Sequence, residues 1–272
     1  MGLTKYIDMK KVAFCFATYE NMSHPKIWED FFAQADPDQY VIHTHAKYPE
    51  AVTQSLVKNH LISEHYDTTW GGIKLARLWL RMFHLAFENQ SVYKAINLSQ
   101  SCVPIRSFQE TYESLTQTDK GFMGWCDCST NDPERRWFQF RYQAIKDKNL
   151  FPATHWVGHM AEGIVVSREM NELLLNNDNT AIFENVSFPE ELYIGCTLSM
   201  LGKKSLILTN PNSHNSQHGI HHRLEGSHPW GGGSHTGLSS ISEKFIQELR
   251  SRGHLFVRKL APGAQVPAMC IQ

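Results

Sequence analysis

The chain has 272 residues and a formal net charge of −1 at neutral pH, with 42% hydrophobic and 19% charged residues. This length is enough to bury a large core, and the composition is ordinary for a globular protein. The nearly neutral charge argues against a nucleic-acid or acidic-membrane partner.

The first hundred residues alternate apolar runs with amphipathic helices, which is the pattern of a mainly parallel sheet. Residues 12–18 form a continuous apolar run, as expected of a strand covered on both faces. Ser23 is predicted to cap a helix that begins near Pro25. The elements predicted to follow are a strand over 40–45, a helix from 51 to about 59, a strong helix after Trp70-Gly71-Gly72 and a strand over 93–98.

The second half is predicted to contain short strands and helices around two irregular stretches. Residues 121–154 are rich in aromatics and arginine and are predicted to cross one face of the sheet. Residues 210–239, rich in His, Gly, Ser and Asn, are predicted to form a functional loop. The other predicted elements are a strand ending at Ser167, helices over 168–175 and 189–201, a strand over 205–209 and a closing helix that contains Ile241, Phe245 and Leu249. Without repeats or a linker, residues 1–272 are interpreted as a single domain.

No segment has the character of a signal peptide or a membrane span. The N-terminus leads within a few residues into the first strand, and no apolar stretch approaches the ~18 residues of a span. The six cysteines lack the density of a disulfide scaffold. We therefore expect a cytoplasmic protein without a membrane span.

Carboxylate and thiol patterns give little support for a metal site. The one Asp-x-Asp match, Asp36-Pro37-Asp38, lies between a helix and a strand, where turn chemistry explains it better. Asp127 has no partner carboxylate in the sequence around it. Cys126 and Cys128 form a C-x-C pair without a second pair at zinc spacing.

The histidine cluster is the remaining candidate for a metal site. Its members are His214, His218, His221, His222 and His228. Their spacings would bring ligands together only on a helix, and the prolines and glycines of this segment disfavour a helix. A flexible substrate loop is the better interpretation, and no metal is expected.

Polar side chains follow the ends of several predicted strands. They are Thr18, His45, Ser99, Ser101 and Lys259. In open α/β sheets, ligands bind outside the carboxyl ends of the strands. The sequence therefore predicts a ligand site at this edge.

Two distant segments supply the groups that a metal-free sugar transferase needs. The segment Phe188-Pro189-Glu190-Glu191 places a carboxylate, a candidate general base, at the start of an apolar-faced helix. Residues 255–260 end in Arg258 and Lys259, cations that can neutralise a leaving phosphate. A carboxylate that only complements a helix dipole, and a solvated strand end, are the alternatives.

Short motifs that resemble those of one enzyme family run in order across most of the chain. Residues 12–18 resemble its opening strand, and His24-Pro25-Lys26-Ile27-Trp28 its first helix. The further matches are Ile42-His43-Thr44-His45, Thr69-Trp70-Gly71-Gly72-Ile73, residues 93–105, residues 161–168 ending in Val-Val-Ser-Arg, Phe188-Pro189-Glu190-Glu191, and residues 255–260. The family is that of the core-2/I-branching β-1,6-N-acetylglucosaminyltransferases, which includes peptide-O-xylosyltransferases and plant homologues.

The resemblance implies a GT-A-type, Rossmann-like α/β fold with a mainly parallel central sheet flanked by helices. Glu191 matches the family's catalytic base, and Lys259 matches a lysine that contacts the diphosphate. The implied nucleotide-sugar-binding residues are Thr18, His45, Trp70, Gly71, Ser101, His235, Arg258 and Lys259. The implied acceptor-binding residues are Trp156, Glu162 and Gly163. His235 lies where branching enzymes have an arginine, so it is the candidate for that role.

The resemblance thus implies an inverting, metal-independent glycosyltransferase. It would move N-acetylglucosamine or xylose from a UDP-sugar to a glycan hydroxyl and form a β-linkage, with no cofactor besides the donor. One alternative is a catalytically inactive carbohydrate-binding protein on the same fold. The others are a metal-dependent transferase using Asp36 or Asp127, and a zinc-binding interaction module through Cys126, Cys128 and the histidines.

Overall fold

The computed structural model describes residues 10–123, 125–127, 156–158, 162–208, 220–222 and 237–268, with 125–127, 156–158 and 220–222 described by their backbone alone. Its strands, numbered in chain order, are β1 Lys11–Thr18, β2 Tyr40–Ala46, β3 Val92–Ser99, β4 Val103–Pro104, β5 Gly121–Phe122, β6 Trp125–Asp127, β7 Trp156–Gly158, β8 Val165–Ser167, β9 Ile207–Leu208, β10 Ile220–His222, β11 Leu238–Ser240, β12 Phe256–Arg258 and β13 Leu260–Gln265.

The α-helices of the described residues are α1 Pro25–Phe32, α2 Ser55–Lys58, α3 Ile73–Glu88, α4 Phe108–Thr116, α5 Arg168–Asn176, α6 Tyr193–Met200 and α7 Glu243–Ser251. Short 3₁₀ turns lie at Pro37–Gln39, Pro49–Ala51, Thr180–Phe183, Pro189–Glu191 and Lys204–Leu206. Within the part of the chain that the structure describes, none of the helices has the length and apolarity needed to cross a membrane.

The central sheet has six strands in the order β2-β1-β3-β8-β5-β9. Strand β1 runs parallel to both β2 and β3, so the carboxyl ends of these three strands meet at one edge. Strand β8 is antiparallel to β3 and β5, and β5 is parallel to β9. The predicted α/β class and mainly parallel sheet are confirmed.

Alternate side chains of β1 pack on opposite faces of the sheet, which explains its uninterrupted apolar sequence. Phe14 and Phe16 lie in a core with α1 and α4, where the Phe16 and Trp28 rings meet edge to face at 4.8 Å. Ala13 and Cys15 lie in a second core with α3 and α5. Cys15 is a buried free thiol.

A second sheet, β10-β12-β4, brings the C-terminal segment beside the end of β3. Strand β12 is antiparallel to β4 and parallel to β10. Strand β10 was not expected, because residues 210–239 were predicted to be a loop. Its pairing with β12 explains how a polar segment forms a strand, because the hydrogen bonds between strands are made by backbone groups and not by side chains.

Two predicted helices are shorter than their sequence patterns indicate. Residues 51–59 contain only the end of a 3₁₀ turn and α2. Before α2, Asn21 Oδ1 accepts the backbone N–H groups of Thr53 and Gln54, and the backbone of Gln54 is extended. Residues 189–201 divide into the 3₁₀ turn Pro189–Glu191 and α6.

Two further local predictions are wrong. Ser23 does not cap α1: His24 occupies the cap position, and no side-chain hydrogen bond closes that end. The strand predicted over 205–209 begins only at Ile207, because the 3₁₀ turn Lys204–Leu206 precedes it.

Candidate active site

Thr18 joins the carboxyl ends of β1 and β2. Its hydroxyl lies 3.1 Å from the carbonyl oxygen of Glu20 and 3.3 Å from that of His45, and donates to them. The backbone N–H of Lys47 donates to the Thr18 carbonyl at 3.0 Å. The proton of this hydroxyl is therefore committed to the backbone, and a ligand here would meet its lone pairs.

His45, at the end of β2, is neutral and almost completely buried. Its Nε2 accepts the backbone N–H of Tyr66 at 3.0 Å, which places the ring proton on Nδ1. Burial, and then the neighbouring His65, lower the pKa of His45 to about 4. The side chain is 2% exposed and its ring stacks on that of His65. His45 therefore acts here as a neutral hydrogen-bonding group.

The neutral state of His45 predicts acid sensitivity. Below its ordinary pKa of 6.5, the unfolded chain takes up a proton that folded His45 refuses until about pH 4. Stability from this group is thus present above pH 6.5 and lost as the pH falls towards 4, by at most ~1.4 kcal/mol per pH unit. Urea unfolding of the wild type and His45→Gln between pH 7 and 4.5 measures this. If the free energy of unfolding changed with pH in the same way for both proteins, the prediction would be contradicted.

The turn after β3 connects the sheet edge to the C-terminal cations. The Ser99 and Ser101 hydroxyl oxygens lie 3.2 Å apart, and the Ser101 carbonyl accepts the N–H of Leu260 at 3.0 Å. Leu260 directly follows Lys259, so this bond holds the lysine beside the end of β3. Ser101, expected to contact the nucleotide, thus also helps to place Lys259.

Arg258 and Lys259 occupy different environments although they are adjacent. Arg258 is 4% exposed and forms an ion pair with Glu162. Burial lowers the pKa of Arg258 to about 10, so the guanidinium stays charged at neutral pH. Burial, and then repulsion from Arg258, lower the pKa of Lys259 to about 8, while Glu191 opposes this shift.

The turn that carries Glu191 is held against the Trp70-Gly71 step. Phe188 has a left-handed backbone (φ 54°), and its N–H donates to the Gly71 carbonyl at 3.1 Å. The Phe188 ring lies so close to Gly71 that a Cβ there would sit 2.8 Å from it. Trp70, 65% exposed, meets the same ring edge to face at 4.6 Å. Trp70 and Gly71, predicted to bind the nucleotide sugar, thus lie against the turn of the predicted base.

Glu191 is the half-buried member of a carboxylate pair. Glu190 is 5% exposed, whereas Glu191 is intermediate in burial. The attraction between Glu191 and Lys259 contributes to the pKa of the lysine. The predicted base and the predicted phosphate-binding cation are therefore close enough to interact.

Asn97 holds the predicted acceptor segment in place, and the sequence analysis did not single it out. It is fully buried in β3; its carbonyl accepts the N–H of Gly163 at 2.7 Å, and its Oδ1 accepts that of Ile164 at 2.8 Å. These bonds fix the segment of Glu162 and Gly163, both predicted acceptor residues, and Gly163 has a φ of 81°. The available signal was an amide within the apolar run over 93–98.

The Asp-x-Asp motif lies at the opposite end of the sheet. Asp36 accepts the N–H of Asp38 at 2.9 Å and caps the turn Pro37–Gln39, and Asp38 pairs with Lys11 at 3.0 Å. The turn precedes β2, whose seven residues span roughly 20 Å before reaching the carboxyl edge. The interpretation of this motif as a turn is confirmed.

Several predicted groups lie outside the described residues. They are His235, Cys128, His214, His218 and His228, with the side chains of Trp156, Cys126, Asp127, His221 and His222. Their assignments stay predictions.

The comparison with known families agrees with the resemblance seen in the motifs. A family model described as Core-2/I-Branching enzyme matches residues 12–250. A search of curated proteins gives no significant match. The mixed α/β architecture with a mainly parallel central sheet agrees with the predicted GT-A-like fold. Because the match covers most of its length, the chain belongs to the Core-2/I-branching enzyme family, a family of glycosyltransferases.

Proposed function

We propose that this protein is an inverting, metal-independent glycosyltransferase that moves N-acetylglucosamine or xylose from a UDP-sugar to a glycan hydroxyl. The family supports a UDP-sugar donor and a glycan acceptor. The observation that supports the mechanism is the placement of Lys259: the Leu260 N–H donates to the Ser101 carbonyl at 3.0 Å and so holds the lysine at the carboxyl edge of the sheet. The attraction of Glu191 for this lysine is consistent with a base near the same edge. A base and a phosphate-binding cation are the two groups that such a transfer needs.

In the proposed step, the Glu191 carboxylate takes the proton of the acceptor hydroxyl. The hydroxyl oxygen attacks C1 of the α-linked sugar from the face opposite UDP, and the bond from C1 to the diphosphate oxygen breaks. UDP leaves with that electron pair, and Lys259 neutralises the charge developing on the diphosphate. The product is a β-glycoside, and Glu191 then returns its proton to solvent.

The position of Lys259 supports charge neutralisation by a side chain. The lysine is held beside the end of β3, at the edge where β1 and β2 also end. The carboxylates of Asp36 and Asp38 are engaged at the other end of β2, which disfavours the metal-dependent alternative through Asp36.

The experiment that tests the function is UDP release from a panel of UDP-sugars in EDTA, with and without glycan acceptors. Turnover of one donor in EDTA supports the proposal and identifies the sugar. Turnover only with added divalent metal would favour the metal-dependent class. UDP binding without turnover across the acceptor panel would favour a carbohydrate-binding protein, and neither binding nor turnover would contradict the proposal.

The pH dependence of donor binding is expected to follow Lys259. In the protein without donor, the pKa of Lys259 is about 8. Binding of a UDP-sugar should therefore be strong below pH 8. Above it, affinity should fall up to about tenfold per pH unit as the ammonium is lost. Titration calorimetry from pH 6 to 9.5 measures the midpoint. A midpoint near the ordinary histidine value, ~6.5, would instead indicate His235 as the principal cation.

Cytoplasmic location and a single domain over residues 1–272 stay predictions of the sequence. The donor panel also distinguishes N-acetylglucosamine from xylose as the transferred sugar.

A further inference from the structure

A buried ion pair joins the predicted acceptor segment to the predicted diphosphate segment. Arg258 is 4% exposed, and the Glu162 side chain with which it pairs is 12% exposed. Burying two opposite charges is costly unless each compensates the other. The charge of Arg258 is therefore already compensated within the protein.

One end of this pair is anchored to the central strand β3, and the other to the turn that follows β3 and to Leu238. On one side, Asn97 accepts the N–H groups of Gly163 and Ile164, which follow Glu162 directly. On the other side, the Leu260 N–H donates to the Ser101 carbonyl at 3.0 Å, and the Lys259 carbonyl accepts the N–H of Leu238 at 2.8 Å. The ion pair thus connects the segment that Asn97 of β3 holds to the segment that contains Lys259.

Lys259 differs from Arg258 in that its charge is not already paired with a carboxylate of the described residues. It is half-buried, and its ammonium forms no ion pair within 4 Å with any residue that the structure describes. Its interaction with Glu191 is a longer-range attraction that enters its pKa. Of the two cations, Lys259 has the charge that an incoming diphosphate can use.

We propose that Arg258 is a positioning residue: it neutralises Glu162 and so keeps that carboxylate away from Lys259, which binds the diphosphate. This inference rests on the proposed function, since it assigns roles within the donor site. It separates two cations that the sequence motif groups together. It also links the acceptor segment of Glu162 to the donor site.

The physical reason is that the Glu162 carboxylate and the diphosphate would compete for the ammonium of Lys259. If Arg258 is made neutral, the Glu162 carboxylate is left buried without its partner. The adjacent ammonium of Lys259 is then the cation available to compensate it. A lysine paired with Glu162 binds an anion weakly, although its own charge is intact.

The test measures the affinities of UDP and of uridine by titration calorimetry for the wild type, Arg258→Met, Arg258→Met with Glu162→Leu, and Lys259→Met. Uridine lacks the diphosphate, so a change confined to UDP reports on phosphate binding. Lys259→Met should weaken UDP binding about 10- to 100-fold, as for loss of a charged hydrogen bond. Arg258→Met should weaken it to a similar degree, and the added Glu162→Leu should restore it to within about threefold of the wild type. Uridine affinity should not change.

The restored affinity of the double variant is the decisive result. Nε of Arg258 has no hydrogen-bond partner among the described residues, and a direct phosphate contact would use this atom. A double variant as weak as Arg258→Met would show such a contact and overturn the positioning role. Unchanged UDP affinity in Arg258→Met would overturn it as well. If the wild type binds neither UDP nor uridine, the proposed function fails together with the inference, and this outcome differs from both others.

Each variant is first compared with the wild type in thermal unfolding. A single replacement within a buried pair destabilises the protein because it leaves one charge uncompensated, whereas a double apolar replacement can be neutral. Arg258→Met should therefore melt lower than the double variant. The affinities are then measured well below the lowest of these melting temperatures, so that folded proteins are compared.

Discussion

Replacing Glu191 with glutamine is expected to lower the rate of sugar transfer by about 10²–10⁴-fold. Glutamine has nearly the same shape but cannot take the acceptor proton, so the attacking oxygen stays a weak nucleophile. Donor binding should change little, because the diphosphate is held by Lys259. The measurement is UDP release under saturating donor and acceptor, with donor affinity determined separately by calorimetry.

Glu190→Gln is the matched control, since it makes the same chemical change one position earlier in the same turn. Glu190 is 5% exposed, whereas Glu191 is half-buried. We expect Glu190→Gln to affect thermal stability more than the transfer rate. The opposite pattern, a slow Glu190→Gln and an active Glu191→Gln, would move the role of base to Glu190.

The strands that form the ligand-binding edge could be predicted because their signals are local. The apolar run over 12–18 and the run over 93–98 become β1 and β3 with small changes at their ends. Helix α3 shows regular spacing of its apolar residues after Trp70-Gly71-Gly72. Each of these elements buries a continuous pattern, and such patterns can be recognised without knowing the partner element.

The elements that were missed depend on partners far away in the sequence. Strand β10 exists through its pairing with β12, and the helix predicted from residue 51 starts late because Asn21 binds the N–H groups of Thr53 and Gln54. The turn before α6 starts at the left-handed residue Phe188, whose N–H donates to the Gly71 carbonyl. No local propensity indicates these contacts.

The candidate site shows the same division. The chemical character of Glu191 and Lys259 indicated a base and a phosphate-binding cation, and the structure places the two within electrostatic reach. The pairing of Arg258 with Glu162 was not foreseen, because the motifs assigned one to the donor and the other to the acceptor. A motif gives the type of charge at a position, whereas compensation by another segment depends on the fold.

Replacing Gly71 with alanine is the second large effect that we expect. The φ of Gly71 is 67°, a conformation that costs an L-residue roughly 1–2 kcal/mol. The new Cβ would also lie 2.8 Å from the Phe188 ring, so the turn that carries Glu191 must shift. Misplacement of a catalytic group by ~1 Å can reduce a rate by about 10²-fold. We therefore expect a loss of that order in transfer rate.

Gly202→Ala separates the two causes, because Gly202 has nearly the same φ, 68°, and no atom within 4 Å of its Cβ position. Both variants should lose stability from backbone strain, but only Gly71→Ala should lose activity. Partial recovery in Gly71→Ala with Phe188→Leu would show that the glycine acts by making room for the ring. A rate that stays low in this double variant, with weakened donor binding, would show instead that Gly71 contacts the donor. The absence of a side chain at Gly71 would then serve the nucleotide sugar itself and not the placement of Glu191.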